Sequence, residues 1–434
     1  MKQSIAAAMN AAPAKAPAAS AAPAVPPNAS EPEKVPAKDA AHAVASSPAV
    51  DINGYMQVEY QWHADSKEQL LQGVTPLNQN RFVLRRARLL ASRAWDYTSL
   101  ELELDANTVN GSAIGINRAE AAAFYRGGND PKAAPLAQLT VGVFRVPFGR
   151  ELPESSGKRW FMERSLLTRA LFPSENDLGA RLTGQPGPFR YGLSITNGEP
   201  ANEKIGFPLQ DPNKNKDFTF SVGAKGKPLD HVTVGGGVSV NKGKGFHSGT
   251  PATKNSIAWT DLNENGAVEP TEIVSVAAQA AQLSRSFKRW AIGADLELNV
   301  DTPIGTSSLF GEVIAAKNLD RGFFVADPVL LQNDMREFGF YIGFLQQITP
   351  YGLVGFRAEF YDPNADLSAR RAGTVLPEKN SVRTYSPLIG VTLPDRARLS
   401  FQYDIIKDHL ARNSRGQAAD LSNNAWTLRL QVNL

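Results

Sequence analysis

The chain contains no cysteine. That excludes disulfides, thiolate nucleophiles and cysteine-ligated metals or clusters. It also lacks any hydrophobic run approaching the roughly 18 apolar residues that a membrane-spanning helix needs. Helical membrane spans are thereby excluded. A transmembrane β-barrel is not, because its strands alternate apolar with polar residues. An excess of one charge is missing too. The 46 basic residues face 43 acidic ones, a formal +3 over 434 residues, so nothing suggests a nucleic-acid binder. The five histidines, His42, His63, His231, His247 and His409, are scattered without i,i+3 or i,i+4 pairing. No P-loop or dinucleotide fingerprint occurs. Val234-Gly235-Gly236-Gly237-Val238 reads as a flexible strand, not a phosphate cradle. Glu101 and Glu103 could imitate a paired-carboxylate site, but they read better as polar residues on one face of a strand. No enzyme is expected.

Composition divides the chain once. Residues 1–49 hold 19 Ala, 8 Pro and no aromatic residue. Such a segment cannot bury enough apolar area to offset its ordering entropy and is expected to be a disordered, partly extended tether. Its start, Met1-Lys2 with a short apolar stretch broken at Asn10, is a poor signal peptide, so the segment reads as a possible remnant of an export signal.

From Val50 onward the pattern has period 2. Ile52, Gly54, Met56, Val58, Tyr60 and Trp62 share one parity, while Asn53, Tyr55, Gln57, Glu59 and Gln61 share the other. Leu100, Leu102 and Leu104 alternate with Glu101, Glu103 and Asp105. The chain closes on Trp426, Leu428, Leu430, Val432 and Leu434 against Thr427, Arg429, Gln431 and Asn433. About sixteen runs are predicted, beginning near Val50, Phe82, Tyr97, Ile116, Leu136, Asp177, Phe189, Phe218, His231, Phe287, Ser307, Glu337, Tyr351, Arg383, Ala397 and Ala425. Short connections such as Trp95-Asp96 and Pro186-Gly187-Pro188 alternate with long ones near 63–81, 149–176, 198–217, 244–285, 318–336, 363–380 and 409–424. A soluble sandwich has no reason to lengthen every second connection. The expected fold is an all-β, antiparallel transmembrane barrel over residues 50–434, with outer-membrane lipid around it.

Several motifs carry a resemblance. Arg81-Phe82-Val83-Leu84-Arg85-Arg86-Ala87-Arg88, Val141-Gly142-Val143-Phe144-Arg145-Val146-Pro147-Phe148-Gly149, Asp177-Leu178-Gly179-Ala180-Arg181-Leu182-Thr183-Gly184, Tyr191-Gly192-Leu193-Ser194-Ile195-Thr196-Asn197-Gly198 and Phe356-Arg357-Ala358-Glu359-Phe360-Tyr361-Asp362-Pro363 resemble the phosphate-selective porin O/P family of Gram-negative outer membranes. The block 139–198 is the specific part. The resemblance implies a sixteen-stranded, homotrimeric porin that passes small anions such as phosphate. It also implies that the third long loop, 149–176, folds into the lumen.

Within that loop Lys158 to Leu171 spaces Trp160-Phe161, Leu166-Leu167 and Leu171 like an amphipathic helix. Its apolar face would lie on the barrel wall and its basic groups would face the pore. Arg145, Arg150, Lys158, Arg159, Arg164 and Arg169, with wall residues Arg86, Arg88, Arg181 and Arg357, are the candidate constriction residues. A solvated external loop would instead pair charges locally, as Glu163 with Arg159. Parity places Arg118, Arg126, Arg190, Arg289, Arg398 and Arg429 in the lumen, with Glu101, Glu103, Glu120, Asp295, Glu297, Glu312, Glu359 and Asp404. Arg85, Arg86 and Arg88 cannot all face inward without a bulge.

A second constellation is Asp261, Asn263, Asn265, Gly266, Ala267, Val268, Glu269 and Glu272. It fits a twelve-residue calcium loop with oxygen ligands at positions 1, 3 and 5, Gly at 6, a backbone carbonyl at 7 and a bidentate Glu at 12. Glu272 to Leu283 would form the exiting helix. The expected function is passive diffusion of small hydrophilic solutes. The rival is a barrel anchor or adhesin with a calcium-stabilised external loop and no open pore. The tether's periplasmic partner is not legible.

Overall fold

The computed structural model describes residues 50–64, 80–128, 133–199, 211, 213–259, 267–371, 374–377, 380–393, 396–409, 411–412, 418–420 and 423–434. The segment 1–49, read as a tether, lies outside the described residues.

Sixteen antiparallel strands close into one barrel. They are β1 (Asp51–His63), β2 (Arg81–Ala94), β3 (Thr98–Asn107), β4 (Ala113–Tyr125), β5 (Ala137–Arg145), β6 (Asn176–Gly184), β7 (Phe189–Thr196) and β8 (Asp217–Leu229), followed by β9 (Val232–His247), β10 (Arg285–Thr302), β11 (Gly305–Lys317), β12 (Arg336–Ile348), β13 (Gly352–Asp362), β14 (Val382–Leu393), β15 (Ala397–Asp408) and β16 (Ala425–Asn433). Each pairs with its sequence neighbours, and β1 closes on β16 from Tyr55↔Asn433 to His63↔Ala425. Closure leaves no sheet edge, which the bilayer interior demands. Among the described residues no helix is long and apolar enough to cross a membrane.

The period-2 pattern becomes an inside and an outside. Along β12, Glu337, Gly339, Tyr341 and Gly343 are buried inward, while Phe338, Phe340, Ile342 and Phe344 are exposed outward. Outward aromatics stack across strands, as Phe340 on Phe360 and Trp62 on Trp426.

Two bulges adjust what the lumen receives. The β1–β2 register shifts between Gln57↔Arg86 and Val58↔Leu84, leaving Arg85 as the extra residue. The β3–β4 register shifts between Glu103↔Arg118 and Leu104↔Ile116, leaving Asn117 extra. A bulge lets consecutive side chains reach the same face, so Arg85, Arg86 and Arg88 all point inward.

The connection 146–175 enters the barrel. Gly149 turns it: its φ is +62° and an added Cβ would meet Glu312 Oε1 at 1.7 Å, so only glycine fits. Gly149 N–H donates to Ser239 Oγ at 2.9 Å. Phe148 is buried and packs on Phe172, with ring centroids 4.9 Å apart. Within the loop, α1 (Leu166–Leu171) seats Leu167, Ala170 and Leu171 against Ala291, Ile314, Ala316, Leu319 and Tyr361 of the wall and the 318–335 connection.

The helix predicted for Lys158 to Leu171 is shorter than expected. Only Leu166–Leu171 is helical, because wall side chains take the preceding backbone groups. Arg398 Nη2 donates to Arg159 O at 2.8 Å, Met162 N donates to Gln402 Oε1 at 2.9 Å, and Arg357 Nη1 donates to Glu163 O at 3.0 Å. Ser165 then caps α1 by accepting from Thr168 N.

The helix expected after Glu272 is also absent. Ile273–Val276 is a strand paired with Ser256–Trp259. Ile273, Val274 and Val276 are β-branched and favour that pairing over a helix.

Candidate functional site

The loop and the wall meet through a network of ion pairs at the level of Glu163 and Glu175. Arg85 Nε is 2.6 Å and Arg86 Nη2 is 3.0 Å from Glu163 carboxylate oxygens, with Arg429 Nη2 at 3.5 Å. Burial opposes the charged form of Glu163, but Arg85, Arg86 and Arg429 outweigh it and hold the carboxyl well below its usual range. Glu175 takes Arg164 Nη1 at 2.6 Å and Arg88 Nη1 at 3.1 Å. It too is held well below the usual range: burial acts against it and Arg164, then Arg88, overcome that. Arg357 bridges Glu151 at 3.3 Å and Glu359 at 2.6 Å. Arg181 pairs with Glu120 at 2.9 Å, and Arg150 with Glu297 at 3.1 Å.

The predicted constriction residues therefore separate into two groups. Arg86, Arg88, Arg150, Arg164, Arg181 and Arg357 are neutralised by carboxylates. Arg145, Arg159 and Arg169 form no ion pair among the described residues, and Lys158 is exposed. Arg159 is the extreme case: it is 3 % exposed, and none of its three guanidinium nitrogens has a hydrogen-bond partner. Burial, then the like charge of Arg164, lowers its pKa to about 9. Glu163 does not pair with Arg159 as a local loop pair would require; it turns to β2 and β16 instead. Basic groups toward an open pore describe Lys158 and Arg169, but not Arg159 and Arg164, which are buried.

Sequence parity missed Arg398 as a constriction residue, though it placed it in the lumen. Its guanidinium lies 4.5 Å from the Trp160 ring and fixes Arg159 O. A strand arginine on the row facing the loop is the signal. Arg126 departs from expectation: it lies past the end of β4, with its guanidinium 4.0 Å from the Phe124 ring and bonded to Asp96 O and Ala133 O.

The family-like motifs have structural work at this site. Gly198 N donates to Asp177 Oδ2 at 2.9 Å, joining the ends of two of them. Tyr361 OH donates to Asp320 Oδ2 at 2.6 Å, tying β13 to the 318–335 connection. Both stay outside the loop that they brace.

Of the calcium-loop residues, Asp261, Asn263 and Asn265 lie outside the described residues. Glu272 is buried and accepts from Trp259 Nε1 at 3.1 Å. Ala267 and Glu269 lie on the same hairpin connection. Among the described residues no group of three His, Asp or Glu side chains is placed to hold a metal ion.

Residues 56–231 match the family described as phosphate-selective porin O and P. No curated protein sequence matches the chain. The fold is similar to an anion-selective porin from Comamonas acidovorans (TM-score 0.53, 11% identity, 89% of this chain and 99% of that one). It is also similar to OprB of Pseudomonas putida (0.52, 10%, 89% and 94%) and to the outer-membrane channel DcaP of Acinetobacter baumannii (0.50, 10%, 89% and 97%). At that identity the likeness concerns the barrel alone. The match covers residues 56–231 alone, so over that stretch the chain is similar to the phosphate-selective porin O and P family, and its closed sixteen-stranded barrel is that of a protein of the Gram-negative outer membrane.

Proposed function

We propose that this porin is a passive channel, not an enzyme, and that it prefers small anions, phosphate among them. The observation that supports this is the unneutralised charge at the narrowing. Arg145, Arg159 and Arg398 form no ion pair among the described residues, while most other arginines at that level do. Charge left over at a constriction sets the sign of selectivity. The experiment is a reversal potential across a planar bilayer in a salt gradient. Chloride preference is expected; cation preference overturns the reading, and a silent barrel favours the anchor reading.

The same proposal extends to a homotrimer. The outward rows of β3 to β5 are small and aliphatic (Leu100, Leu102, Ala119, Ala121, Leu139, Val141), whereas aromatics cover β12 and β13. This stretch carries its exposed aromatics, Tyr97 and Tyr125, at the strand ends, and its small, aliphatic middle lets a second wall approach closely. Cross-linking in native membranes tests it.

A second reading concerns calcium at 261–272. Trp259↔Ile273 pairing holds the two ends of this connection together, and the position-12 residue Glu272 is buried at that neck. Both favour a closed loop around a cation.

A further inference from the structure

The lumen on the long-loop side of the constriction holds a hollow of about 320 Å³. Its floor is the inward loop, from Met162 to Arg169. One wall is the inner rows of β13 to β16 and β1. Phe323 and Phe324, from the 318–335 connection, close it with apolar surface.

Most charges lining this hollow are already matched. Glu163 faces Arg85 and Arg86, Glu59 faces Arg429, Arg164 faces Glu175, and Arg357 faces Glu359. Glu359 also accepts from Leu166 N at 2.7 Å. Asp408 accepts from Asn423 Nδ2, and two charged groups differ. Asp404, on β15, accepts from Gln402 Nε2 at 2.7 Å and from Ser386, and forms no ion pair among the described residues. Arg169, on α1, is exposed, with its guanidinium 5.5 Å from the Phe323 ring centroid. It too has no ion pair there. A half-enclosed hollow thus carries on its wall a carboxylate whose two hydrogen bonds both fall on Oδ1, leaving Oδ2 open, a guanidinium without an ion pair among the described residues on the loop, and an aromatic side.

We infer that this hollow binds small zwitterions with an apolar body, such as α-amino acids, as a station before the constriction. The ammonium would sit at Asp404, the carboxylate would take the planar guanidinium of Arg169, and the apolar part would lie against Phe323 and Phe324. A volume of about 300 Å³ or more suffices for a small molecule. A simple anion meets only half of the site. The inference rests on the channel reading for its place in permeation, but not for binding.

The test uses the full chain in planar bilayers carrying KCl current, with phenylalanine added on the long-loop side. Expected are concentration-dependent current interruptions. N-acetylphenylalanine and phenylalanine methyl ester, each lacking one charge, should act about tenfold more weakly, the loss of one charge-assisted contact. Asp404→Asn should weaken phenylalanine about tenfold yet leave N-acetylphenylalanine unchanged. Arg169→Gln should weaken phenylalanine yet leave the methyl ester unchanged. Equal action of all three compounds, or variants that respond like the parent protein, overturns the inference. Should the barrel carry no KCl current, the channel reading falls. Equilibrium dialysis of phenylalanine against the detergent-purified barrel and the same two variants then decides the binding claim: tenfold-weaker retention by the variants upholds it and equal retention overturns it.

Discussion

Arg85 Nε meets Glu163 Oε1 at 2.6 Å because Arg85 is the extra residue of the β2 bulge opposite Gln57 and Val58. Without that extra residue Arg85 would point to lipid. The bulge turns a sequence of three nearby arginines into a clamp. Arg85 and Arg86 hold the loop by Glu163, and Arg88 holds its far end by Glu175. Two carboxylates thus take a large part in setting the loop's position, and so the narrowing, beside the Arg357–Glu151 pair and the apolar seat of α1.

Glu163→Gln should therefore loosen the loop and raise anion preference together. It leaves Arg85, Arg86 and Arg429 facing a neutral amide. Removing one partner of a fully buried pair costs about 3 kcal/mol or more; the Glu163 side chain is 22% exposed, so the loss should be smaller. The heat-modifiability transition of the purified barrel should fall, and the reversal potential should move toward the chloride limit. An unchanged transition would mean that the clamp adds nothing to stability.

The clamp has a pH window. Both carboxyls are depressed in the folded state. Their contribution is fully present above the unfolded value of about 4.3 and is lost as pH falls through the lower folded value. Channel conductance should hold steady from neutral pH to about 4 and change only below it. A step between pH 5 and 7 would point to another group.

Arg159→Ala should act in the opposite sense to most buried substitutions. The guanidinium is buried with no acceptor, so removing it relieves an uncompensated charge. The barrel should keep or gain thermal stability while anion preference drops. Arg164→Ala should destabilise, because it removes the nearer of Glu175's two arginines and leaves Arg88 alone to hold it. Replacing Arg159, Arg164 and Arg169 together would mix these effects, so the single variants are more informative. Loss of folding in Arg159→Ala would contradict this reading.

The barrel was almost wholly legible. Every predicted strand start falls within three residues of the observed one, from Val50 against Asp51 to Ile116 against Ala113. The reason is that period 2 is a local property and closure repeats it sixteen times. At Arg85–Arg88 only the alternative is legible, either one arginine facing outward or a bulge, and the structure takes the bulge. The loop was legible only in its apolar seat. Residues 158–165 have helical spacing, yet their backbone partners come from Arg398, Gln402 and Arg357, more than 190 residues away. No local pattern encodes such contacts. Which arginines stay unpaired is likewise a three-dimensional property: Arg159 and Arg164 read alike in sequence, and only Arg164 finds a carboxylate.

Deleting residues 1–49 behind an intact export signal should leave a heat-modifiable barrel. With 19 Ala, 8 Pro and no aromatic residue, the segment lacks the apolar area to join a core. Loss of the folded form on deletion would show that it packs onto the barrel.

Calcium should order the longest external connection. If Asp261, Glu269 and Glu272 approach one another, their charges repel, and a divalent cation with about seven oxygen ligands removes that repulsion. Asn at positions 3 and 5 lowers the ligand charge, so binding should fall in the range of about 10⁻⁴ to 10⁻³ M seen for extracellular modules. The paired strands Ser256–Trp259 and Ile273–Val276 keep the neck closed with or without the ion, so the effect should concentrate between them. Chelation should increase proteolytic cutting within 244–285 and leave the barrel resistant. Because Trp259 Nε1 donates to Glu272 Oε2 at 3.1 Å, a bidentate Glu272 would have to give up or share that bond. Trp259 fluorescence should then change on calcium addition. Glu272→Gln keeps an acceptor for Trp259 but removes the charge, and it should abolish the calcium response in both proteolysis and fluorescence. Identical cleavage with and without calcium in the unaltered protein would reduce 261–272 to a polar hairpin connection.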